Sequence, residues 1–145
     1  MRRVFVALAG LLLLMIVAQF YLAAAGGFDT APKEESFSAH RMLGMAVPLV
    51  SILVTAAAAL SRAPGRLVAL SALPAGLGVL QILIKVIADG LGGVDGATST
   101  AGFVVFGLHA INALAIMGVS GEVFRRARTL SGAPRAADVS SAPAS

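Results

Sequence analysis

Uncharged residues run along the chain in four long blocks. Residues 4–28 make 25 positions without a charge, 42–61 make 20, 67–84 make 18 and 96–121 make 26. Apolar side chains fill these blocks continuously, without the alternation of a half-buried strand. A helix needs about 20 apolar residues to cross a hydrocarbon core of about 30 Å. The blocks reach that length and are too long for the strands of a membrane barrel. The pattern predicts membrane-spanning helices over residues 4–25, 37–60, 67–88 and 101–123. The fold class expected is all-α, an integral membrane four-helix bundle running up-down-up-down.

The polar intervals suit this reading. Gly26-Gly27 closes the first block and Pro32 sits in the loop beyond it. Ala63-Pro64-Gly65 is a tight turn between the second and third, and residues 90–100 form a Gly-rich loop before the fourth. The domain expected is therefore residues 1–130. Residues 131–145 are mainly Ser, Ala and Pro. They offer too little apolar surface to fold, so a disordered cytoplasmic tail is expected.

Composition adds exclusions. Hydrophobic residues make up 58% and charged residues 12% of the 145. A soluble domain carries roughly 25% charge. A water-facing globule of this size cannot be coated with half of that, which argues against a soluble enzyme or a disordered chain. No cysteine is present, which removes disulfides, thiol catalysis and thiolate metal sites.

The net charge of +4 does not call for nucleic acid, because the cations are sorted by side. Arg2, Arg3, Arg62, Arg66, Arg125, Arg126, Arg128 and Arg135 fall on one face of a four-span topology. The other face has Lys33 and Arg41, with Lys85 inside the third span near it. The positive-inside rule then places both termini in the cytoplasm of a multi-pass plasma-membrane protein. Met1-Arg2-Arg3 followed by an apolar run and Ala23-Ala24-Ala25-Gly26 also has the form of a secretory signal. The run exceeds the usual h-region of about 7–15 residues, which favours an uncleaved helix.

Few polar side chains lie inside the spans: Gln19, His40, Arg41, Ser51, Thr55, Gln81, Lys85, His109 and Asn112. Intramembrane ionisable groups are costly and are candidates for function. Gln19, with Tyr21, reads as an interfacial anchor. His40 and His109 are the only histidines. They belong to the second and fourth spans, which run in the same direction, and both lie in the outer half of the membrane. Two imidazoles from two helices are a donor set for six-coordinate haem. Gly44 and Ala113, each four residues beyond a histidine, present small surfaces on the same faces. Phe106 precedes His109 by three and is placed to pack on a ring edge. Arg41 and Lys85 are candidates to pair with haem propionates.

The segment His40-Arg41-Met42-Leu43-Gly44 resembles the His-Arg opening of a helix in haem A synthases. Gln81 and Leu108-His109-Ala110 stand where the four-helix half-units of that family carry a Gln and a second His. The resemblance implies haem b held by His40 and His109, with Gln81, Arg41 and Lys85 around it. That family places Glu three residues before the first His, where this chain has Phe37, and it has two half-units where this chain has one. Haem A synthesis itself is therefore not carried over. The chain is also similar to small four-span membrane proteins of high-GC bacteria without an assigned role.

Competing readings are structural. His40 beside Arg41 is placed to snorkel to the headgroups, and His109, Gln81 and Asn112 can make interhelical hydrogen bonds. Met42 and Met45 read as lipid-facing or as filler. Gly44, Gly76, Gly78, Gly102, Gly107 and Gly118 are expected to permit close helix packing. A transport path is disfavoured, since the midplane has no Asp or Glu and the inner half has little beyond Ser51 and Thr55. No Gly-x-Ser-x-Gly, phosphate loop or metal cluster marks an enzyme. The partners implied are the lipid bilayer and, for an electron-transfer subunit, a membrane redox partner or a second copy of the chain.

Overall fold

The computed structural model describes residues 1–92 and 99–132. Its helices are α1 (Arg2–Phe28), α2 (Lys33–Ser36), α3 (Ser38–Leu60), α4 (Gly65–Gly90) and α5 (Thr100–Gly132). No strand occurs among the described residues. The four long helices are apolar enough to cross a bilayer, and the chain is an all-α multi-pass membrane protein.

Neighbouring pairs are α1 with α3, α3 with α4, α4 with α5, and α5 back on α1. The helices thus stand at the corners of a square, with α1/α4 and α3/α5 as diagonals. Gly10 of α1 faces Phe124 of α5, and Thr55 of α3 bonds to Ser71 of α4. The start of α1, the end of α3, the start of α4 and the end of α5 therefore share one end of the bundle. Arg2, Arg3, Arg62, Arg66, Arg125, Arg126 and Arg128 all lie there.

Each long helix buries one stripe and leaves many large apolar side chains outside. Phe5, Ala9, Leu12 and Ile16 form one buried stripe of α1. Asn112, Ile116, Ser120, Val123 and Ala127 do the same on α5. These steps of three and four residues are the spacing of left-handed bundle packing. Meanwhile Leu14, Met42, Met45, Leu49 and Phe103 are 65–75% exposed. Lipid is as apolar as they are, so no penalty drives them inward, and contact energy must come from close approach.

Part of the glycine expectation needs correction. A Cβ on Gly78 would sit 2.9 Å from Cγ of Pro48, and one on Gly102 3.0 Å from the Ala88 carbonyl. A Cβ on Gly76, Gly107 or Gly118 would meet nothing within 4 Å. Those three glycines sit on open faces, so they do not set helix spacing.

Helix ends also differ from the expectation. α5 continues nine residues beyond position 123, to Gly132. The interval before α3 holds the short α2, where Asp29 Oδ1 accepts from the Ala31 N–H and Ser36 Oγ donates to the Ala31 carbonyl. Between α3 and α4 the chain reverses through Arg62, whose φ is 55°. The Arg62 N–H donates to Ala59 and the Ala63 N–H to Ala58, the paired bonds of a Schellman cap. Residues 133–145, which include most of the expected tail, lie outside the described residues, as does much of the Gly-rich loop.

Candidate functional site

The two ends of the bundle interior differ in chemistry. Toward the arginine end the core is mainly apolar, built from Phe5, Ala9, Val54, Ala57, Ala58, Leu67, Val123 and Ala127, with Ser61, Ser71 and Ser120 buried among them. Toward the other end each long helix contributes polar side chains at one level: Gln19 from α1, His40 from α3, Gln81 from α4, and His109 with Asn112 from α5.

The histidines meet. Their ring centroids are 6.3 Å apart with planes inclined at 50°. They reach across the α3/α5 diagonal, whose helices are not close-packed neighbours. Phe37 stands edge-on to His40 at 6.2 Å, and Phe106 stacks on His109 at 5.2 Å with planes 13° apart. Phe106 therefore meets the His109 ring itself.

Hydrogen bonds order one side of this cluster. Gln81 Nε2 donates to the His109 carbonyl at 2.8 Å. Asn112 Nδ2 donates to the Leu77 carbonyl at 2.9 Å and also to Gln81 Oε1. This ties α4 to α5 and accounts for Gln81 by backbone contact with His109.

The other side is under-bonded. His40 Nδ1 lies 3.1 Å from the Gln19 carbonyl. A carbonyl only accepts, so Nδ1 is the donor in this contact. Gln19 Nε2, Gln19 Oε1 and His109 Nδ1 are buried without a hydrogen-bond partner. Buried polar atoms left unpaired are rare and costly. Three such atoms lie beside the histidine pair, and Ser61 Oγ and Ser120 Oγ toward the arginine end are in the same state.

Gln19, which the sequence pattern reads as an interfacial anchor, is an interior residue. It lies three residues past Ile16 and so continues the buried stripe of α1. That stripe is invisible in a helix that is apolar all round, because no polar face contrasts with it. The Gln19 amide fills the room left by Gly44, with Nε2 3.0 Å from where a Cβ would stand. Arg41 and Lys85 are about half exposed and each is engaged by a carboxylate, Arg41 with Glu34 at 3.4 Å and Lys85 with Asp89. Neither makes a contact with the histidine rings.

Residues 19–88 match a family of unknown function, DUF6220. The matched stretch runs from Gln19 through His40 to Gln81 and Ala88, and ends before α5. No curated protein and no solved structure matches the chain.

Proposed function

We propose that the chain is a small membrane cytochrome in which His40 and His109 hold one haem b as a bis-imidazole pair. The observation that carries the reading is the convergence of the histidines across the bundle diagonal at 6.3 Å. Two imidazoles bonded at about 2.0–2.1 Å on opposite sides of one metal ion have ring centres roughly 6.4 Å apart. Among the described residues no group of three or more His, Asp or Glu gathers, so a bare ion has too few donors. A porphyrin brings four nitrogens of its own and needs only two from the protein.

The residues also suit the group in detail. The Gln19 carbonyl holds the His40 ring by Nδ1 and leaves Nε2 for iron, the usual outer-shell arrangement for a metal-bound histidine. Gln81 fixes the backbone of His109. The Gln19 amide must turn away from Gly44 for a macrocycle to lie between the rings, and it makes no hydrogen bond that this turn would break. A haem with both axial positions filled supplies one-electron transfer, which calls for a redox partner in or at the membrane.

The Gln81–Asn112–His109 network supports a second reading, in which the polar layer only fastens α4 to α5 and the protein is a structural or interaction subunit. Absorption spectroscopy separates the two. The chain expressed with ample haem is expected to purify with a Soret band and a sharp reduced α band, lost or turned high-spin in His40→Ala and in His109→Ala. A colourless protein under these conditions rejects the cytochrome reading and leaves the structural one.

A further inference from the structure

The end of the bundle opposite the histidines is rimmed by arginine. Arg2 and Arg3 open α1, Arg62 and Arg66 flank the α3–α4 turn, and Arg125, Arg126 and Arg128 lie near the end of α5. The described residues place one carboxylate at this end, Glu122. It is already shared: Arg125 holds it through two nitrogens at 2.7 and 2.6 Å, and Arg126 at 2.6 Å. Strong positive charge is left over at the level where the apolar blocks stop.

One spot on this rim has shape as well as charge. Phe124, Arg125, Arg128 and Thr129 line a shallow, open groove along one face of α5. The Arg128 guanidinium stands 5.8 Å from the centre of the Phe124 ring, and that ring rests against Gly10 of α1. Arg128 is therefore supported on a fixed apolar platform. Guanidinium groups bind phosphate oxygens in pairs, which ammonium groups do not. Phe124 supplies an apolar floor next to Arg128, close to where the uncharged run of α5 ends. A ligand with a phosphate head and an apolar body satisfies both features, and a free inorganic anion satisfies only one.

We propose that this groove binds the phosphodiester headgroup of an anionic phospholipid, with Arg128 as its principal clamp. The site lies at the far end of the bundle from the histidines and does not depend on haem.

The test uses the purified full chain in vesicles of phosphatidylcholine and phosphatidylglycerol, with spin-labelled forms of each. The fraction of motionally restricted label gives the relative association of the two lipids. Phosphatidylglycerol is expected to be preferred roughly fivefold, the scale of one arginine at an anionic surface. Arg128→Gln should remove most of that preference, and Arg128→Lys should keep part of it. Arg126→Gln, which does not line the groove, should leave it unchanged. Equal association of the two lipids with the unaltered chain overturns the proposal. So does full preference in Arg128→Gln, or an equal loss in Arg126→Gln, which would mean diffuse charge only. Loss of the preference on adding inorganic phosphate at fixed ionic strength would instead assign the groove to a soluble anion.

Discussion

A close approach of α3 and α4 gives the sharpest stability prediction. Gly78 of α4 faces Pro48 of α3, and a Cβ at Gly78 would stand 2.9 Å from the proline Cγ and 3.6 Å from its Cβ. A proline ring has no rotamer to escape into, so the helices themselves must part. Overpacking of this kind costs about 1–3 kcal/mol. Alanine also gains about 1 kcal/mol over glycine as a helix former, which masks part of the cost. Gly107 removes that ambiguity, because a Cβ there meets nothing within 4 Å and Gly107→Ala carries the propensity gain alone. The difference between the two variants isolates the packing term. At about 4 °C per kcal/mol for a chain of this size, Gly78→Ala should melt roughly 4–12 °C below Gly107→Ala in detergent. Gly107→Ala itself should melt at or above the unaltered protein. Equal melting temperatures, or a Gly78→Ala protein more stable than the original, would refute close contact of α3 and α4 at this level.

Arg62 holds a left-handed φ of 55°, which costs an L-residue about 1–2 kcal/mol, so Arg62→Gly should raise the melting temperature by several degrees; a lower value would mean that its side chain matters more than its backbone. Asn112→Leu breaks the bonds to Leu77 and Gln81 and should lower stability by about 0.6–1.7 kcal/mol, read by detergent melting against an Ile111→Leu control on the lipid face. Finally, an alkaline phosphatase fused at the C-terminus should be inactive in cells and one inserted within residues 93–98 active, as the arginine end predicts for the cytoplasm; an active C-terminal fusion would reverse the topology.

The number and type of the long helices were legible in the amino-acid order alone, while the short α2 was not. Continuous apolar blocks can satisfy their backbone in lipid only as helices, and the charges that interrupt them place seven arginines at one end. That both histidines lie in the half of the bundle away from the arginines was legible too, because their spans run in the same direction. What the order could not decide is which face of each helix turns inward. In water an amphipathic stripe announces that face, but in lipid every face of α1 or α5 is apolar and the stripe vanishes. So Gln19 read as an interfacial anchor until packing put it beside Gly44 and His40, and Gly107 read like Gly78 until packing left it in the open. The square of α1, α3, α4 and α5 is likewise a tertiary result. It sets α3 diagonal to α5, and that brings the His40 and His109 rings together across the interior.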